Sequence, residues 1–169
     1  MNRSLLKVFL CAVAMQLASY VARGAEVRDA EVVAQRFLEA WNAHAPSIFI
    51  VAVDSDADWI HARGAKLRGR TEIESYLARE HSTWAKETRM TPLGIESRLL
   101  CEGVAIVALS WQISRENEAA FRGMTQFIVK KTDSGWVVIS GQVTSGSAGQ
   151  AAAGTAEQGA AGDAPEARA

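Results

Sequence analysis

The chain has 169 residues, 49% of them hydrophobic and 22% charged, with a formal net charge of −1 and two cysteines. Length and composition suit one globular core rather than several. Two cysteines cannot build a disulfide framework, and no basic stripe exists to gather phosphates, so nucleic acid is not an expected partner.

In chain order, Arg3 and Lys7 stand at the start with no acid, and residues 8–21 then run apolar or small apart from Gln16 and Ser19. These are the n-region and h-region of a secretory signal peptide, too short for the roughly 20 apolar residues of a spanning helix. Ala22-Arg23-Gly24 supplies a small-x-small processing site, so residues 1–25 are expected to be removed. The mature chain would begin near Glu26, exported to the periplasm or beyond, without a stable membrane anchor. Losing Arg3, Lys7 and Arg23 would leave it at a net charge of about −4. Cys101 would then be the only thiol, read as a small core hydrophobe at a strand end.

From Asp29 to His44 the residues Val33, Phe37, Ala40, Trp41 and His44 recur at helical spacing, which predicts a first helix. Pro46 breaks it. A short second helix carries Ile48, Phe49 and Val53, and Asp54-Ser55-Asp56 reads as an acidic turn. Residues 57–63 then read as a strand, and Gly64 and Gly69 bracket a turn. Thr71 with Glu74 spells a capping box ahead of Ile73, Leu77 and Trp84, predicting a third helix to about Trp84. Beyond it the period changes to two. Residues 90–99, 104–114, 121–131 and 136–144 predict consecutive antiparallel strands joined by hairpins. From Ser145 onward only small residues and scattered charges occur, so 146–169 is expected to be a disordered Ala/Gly-rich tail. The folded domain is therefore 26–145, α+β in class.

Strand parity sharpens this. In the last strand Trp136, Val138, Ser140, Gln142 and Thr144 alternate with Val137, Ile139, Gly141 and Val143, and neither set is wholly polar. A sheet with one wet side should alternate more cleanly. Helices are expected on one face and a second copy of the chain on the other, a homodimer through the outer sheet face.

The strings 37–44 (FLEAWNAH), 56–60 (DADWI), 67–73 (LRGRTEI), 135–138 (GWVV) and 141–144 (GQVT), in this order, resemble the nuclear transport factor 2-like superfamily of SnoaL-like and ketosteroid-isomerase-like domains, closest to its SgcJ/EcaC branch. The resemblance implies a cone-shaped curved mixed/antiparallel sheet with about three helices packed on its concave face. It also implies an apolar interior pocket for a small ligand. Where the family commonly has an acid after the helix-one histidine, this chain has Ala45-Pro46.

Parity nominates the lining of such a pocket: Trp41, Trp59, Trp111 and Gln142, with His61 as the candidate general base because imidazole moves protons near neutral pH. Gln142 could orient a carbonyl. Asp58 is a weaker carboxylate candidate, and Arg70 resembles a family arginine held in a structural salt bridge. His44 and His81 are expected near helix surfaces, and the three histidines match no metal-ligand spacing. No dinucleotide-binding glycine motif occurs, so no cofactor is expected. The reading is an exported small-molecule-binding domain of unassigned reaction. The alternative is a cofactor-free isomerase, dehydratase or cyclase using His61 as proton shuttle on an apolar substrate.

Overall fold

The computed structural model describes residue 16 and residues 24–116 and 121–146. The expected leader (but for residues 16, 24 and 25) and the expected tail (but for Gly146) lie outside the described residues. Residues 24–30 are helical and lead into α1 (Val32–Asn42), which turns Val33, Ala34, Phe37, Ala40 and Trp41 inward. These are the positions that the 3.6-residue period selects. His44 lies past the helix end, exposed and at φ 51°, and Pro46 opens α2 (Ser47–Ile50).

β1 (Val53–Ile60) starts earlier than the sequence suggests. The Asp54 carboxylate accepts from the Asp56 backbone N–H at 3.1 Å, a local turn held inside the strand rather than before it. The segment bracketed by Gly64 and Gly69 is not a plain turn but carries a short strand, β2 (Lys66–Arg68), antiparallel to β1. Gly69, at φ 80°, leads into α3 (Arg70–Ser82). No capping box forms there: Thr71 is already helical, and it is Glu72 whose carboxylate accepts from the Arg68 backbone N–H at 2.8 Å. Among the described residues Arg70 has no salt-bridge partner; it donates instead to the Val53 carbonyl at 2.7 Å, tying α3 to β1.

β3 (Thr88–Cys101), β4 (Val104–Arg115), β5 (Phe121–Thr132) and β6 (Gly135–Gly146) follow as an antiparallel meander. β1 joins parallel to β6, and the sheet order is β2-β1-β6-β5-β4-β3. The sheet is curved and unclosed, and the three helices fill its concave side. β4 alternates without a break, with Ala105, Val107, Leu109, Trp111 and Ile113 buried and the residues between them half-buried. Phe37, Phe49, Trp59 and Phe127 meet at the centre with ring centroids 5.1 to 6.1 Å apart. Edge strand β3 is closed by α1: the Asn42 amide donates to the Met90 carbonyl and accepts from the Met90 N–H, both at 2.9 Å. That side chain takes the place of a neighbouring strand. Cys101 ends β3 exposed, not in the core, because the chain has reached the hairpin rim.

Candidate functional site

A cavity of about 260 Å³ opens inside the cone between α1, α3 and the last turns of β1, β4 and β6. Its walls are aromatic: Phe37, Trp41, Trp59, Trp84, Trp111 and Phe121. Two of these indoles rest on glycine. Trp59 is the cross-strand partner of Gly141 and Trp111 of Gly123, and a Cβ on either glycine would overlap the ring above it. A bare backbone there lets each ring lie against the sheet and leaves the space above it open. Trp41 donates to Thr88 Oγ1 at 3.1 Å and Trp111 to Thr125 Oγ1 at 2.9 Å, so buried threonines fix both rings.

The polar groups gather where exposed Arg63 and Ser145 bring the lining to solvent. At their centre is Glu80, 3% exposed, on the last turn of α3. Its Oε1 accepts from Arg63 Nη2 at 2.6 Å and from Trp84 Nε1 at 2.8 Å. Its Oε2 stands 3.1 Å from His61 Nε2 but lacks an aligned hydrogen bond, so it retains unused acceptor capacity. Burial pushes the Glu80 carboxyl up; the approach of His61, the Trp84 N–H and the charges of His61 and Arg63 outweigh it and hold the group below the ordinary carboxylate value. Glu80 is therefore ionised at neutral pH. The Arg63 backbone N–H points at His61 Nδ1 from 3.4 Å, which assigns the proton to Nε2, on the carboxylate side. His61 thus presents neither nitrogen free to a ligand.

Of the residues nominated by parity, Trp41, Trp59, Trp111 and His61 line this cavity. Gln142 does not. Val138 pairs with Val129 but the next pair is Ser140 with Ile128, so Ile139 is an extra residue, a bulge that reverses the parity of β6. Past it Gly141 turns inward and Val143 and Ser145 line the cavity, while Gln142 is exposed on the outer face. Asp58 is likewise exposed there, paired with Arg68 and Ser140 in the sheet. His81 is not at a helix surface: it is 8% exposed, stacked edge-on against Trp41 at 4.8 Å, with its Nδ1 3.2 Å from Nδ1 of exposed His44. Among the described residues no group of three or more His, Cys, Asp or Glu could hold a metal ion.

Glu80 was missed. Its signal was present: it sits three residues past Leu77 on the stripe that also holds Ile73, where a charge on a helix's inward face is out of place.

No protein-family model and no curated protein matches this chain. Solved structures do. An uncharacterized protein with a cystatin-like fold from Caulobacter vibrioides is 22% identical, with a TM-score of 0.68 over 75% of this chain and 94% of that one. A nuclear transport factor 2-like protein of unknown function from Pseudomonas putida KT2440 is 10% identical, with a TM-score of 0.65 over 72% and 87%. A ketosteroid isomerase-like protein from Erwinia carotovora atroseptica SCRI1043 is 16% identical, with a TM-score of 0.59 over 71% and 95%. With its curved, unclosed six-strand sheet wrapped on three helices, the chain has the nuclear transport factor 2-like cone fold.

Proposed function

We propose that this chain is an exported domain that binds one small apolar molecule inside the cone, without a cofactor. The observation that carries the reading is the aromatic cavity, walled by four tryptophans and two phenylalanines and holding one buried carboxylate. Concave apolar sites with a few convergent polar groups are the usual form of small-molecule sites. The test is native mass spectrometry of protein purified from its own host compartment. A bound apolar molecule supports the reading; protein with no adduct, and no thermal stabilisation by any apolar compound screened, defeats it. The intact mass from the same experiment reports export: a mature chain beginning near Glu26 is expected, and an uncleaved leader refutes that part alone.

A second reading is favoured by one contact, His61 against buried Glu80. An imidazole and a carboxylate at the edge of an apolar cavity can move a proton between two carbons or from carbon to oxygen, as an isomerase, dehydratase or cyclase requires. The likeness to a ketosteroid isomerase-like protein agrees with this chemistry. Because His61 Nε2 is turned to Glu80, the proton would pass through Glu80 Oε2, with His61 as its relay. Turnover abolished in both Glu80→Gln and His61→Ala, with ligand affinity retained, would support catalysis; turnover surviving both would remove it.

A further inference from the structure

Beside the aromatic cavity lies a second recess of about 350 Å³, lined by Arg63, Tyr76, Arg79, Glu80, Thr83 and Trp84. Arg63, Glu80 and Trp84 line both, so the two spaces adjoin at Arg63. Unlike the buried carboxylate it holds, Arg63 is open to a ligand, with its side chain 66% exposed. Its Nη2 donates to Glu80 Oε1 at 2.6 Å, and a guanidinium carries more N–H donors than that one nitrogen uses. Arg79, exposed on the last turn of α3, lies over the Tyr76 ring at 5.1 Å and makes no ion pair among the described residues. Tyr76 also neighbours Arg63, raising its guanidinium above the ordinary value against the pull of burial. Two guanidinium groups therefore share one tyrosine at the rim of the cavity.

Charge then narrows the ligand. Across both linings the charged side chains are Arg63, Arg79 and Glu80, and a proton on His61 would only add to the positive side. One carboxylate leaves two guanidinium groups unbalanced, and an anion placed beside them relieves their repulsion. A carboxylate suits the planar fork of an arginine, which grips it through two parallel hydrogen bonds. Deeper in, the walls are aromatic and the ionised Glu80 repels a second negative charge, so the anionic group belongs at the rim and the apolar part inside. Resting on the binding reading above, we infer that the ligand is an amphipathic carboxylate, its flat apolar body inside the cone and its carboxylate at the rim on Arg63 and Arg79.

The test is a calorimetric series on the purified protein with 2-naphthoate, the neutral 2-naphthamide of the same shape, and the cationic 2-naphthylmethylammonium. Naphthoate should bind roughly tenfold more tightly than the amide, since hydrogen bonds to a charged group exceed neutral ones, and the ammonium compound should bind most weakly. Added salt should narrow the gap between naphthoate and amide, because charges at an exposed rim are screened. Arg79→Gln, on an exposed side chain outside the core, should cut the naphthoate-to-amide ratio to about a third, and Arg79→Lys, which keeps the charge, should retain most of it. Arg63→Gln added to Arg79→Gln should abolish the ratio. Equal affinity for naphthoate and amide, the ammonium compound as the tightest ligand, no binding by any of the three, or a naphthoate preference untouched by Arg79→Gln overturns the inference. If the series fails while host-purified protein carries a bound molecule, the inference falls and the binding reading stands; if host-purified protein is also empty, both fall.

Discussion

Glu80 concentrates what single residues decide here. A buried carboxylate held by Arg63, Trp84 and His61 cannot lose its charge cheaply, because its donors remain aimed at it. Glu80→Gln should lower stability by about 1–3 kcal/mol. Arg63→Ala, on a side chain 66% exposed, should cost less than about 1 kcal/mol. Chemical denaturation of both variants checks the order, and equal losses would contradict it. The histidine pair predicts a pH dependence. Burial, then the neighbouring His44, hold His81 below its ordinary value of 6.5, with Glu80 pulling the other way. The unfolded chain therefore takes up this proton more readily than the native one, and stability falls as pH drops from about 6.5 toward the lower native value. Glu80 adds a second loss, since its native pKa lies below the ordinary 4.5 and its contribution disappears as pH falls through that lower value. Thermal midpoints should be flat above neutrality and then decline in these two windows. His81→Gln should remove the upper one only.

At the scale of elements, the bulge at Ile139 decides which side chains of β6 reach the cavity. Ile139→Ala, on a half-buried side chain, should cost roughly 1 kcal/mol. Deleting Ile139 should be far worse, because it carries Gly141 out from under Trp59 and turns Gln142 inward. Loss of cooperative unfolding in the deletion, against a normal transition in the alanine variant, is the expected result. This is also where sequence reading of the site stops. Periodicity located α1, α3 and the four long strands, since each buries one face and repeats accordingly. Alternation carried through a bulge points to the wrong face, which is why Gln142 was nominated and Val143 was not. A lone glutamate on an inward helical stripe was readable as an anomaly; its partner Arg63, 17 residues away on a loop, was not.

Among the described residues nothing covers the convex face of the sheet. Ile106, Ala108, Ser110, Ile128 and Ser140 are only half-buried there, beside exposed Gln126, Met124 and Gln142, with Glu96 and Arg98 at its flank. We expect this face to pair with a second copy of the chain. Light scattering of the chain from Glu26 should give a dimer mass, and Ile128→Lys should give a monomer that unfolds with an unchanged slope; a wild-type monomer would reject the pairing. The amino-acid order by itself determined the types and sequence of the three helices and the long strands, the inward stripe of α1 and the aromatic character of the interior, because these follow from local periodicity and from where apolar residues recur. Only the tertiary structure decided that β1 lies parallel to β6, that a bulge turns Gln142 out, and that Glu80 meets His61 and Arg63. Those are contacts between segments distant in the chain, and they are set by how the strands align and how the helices fill the cone, which no local pattern encodes.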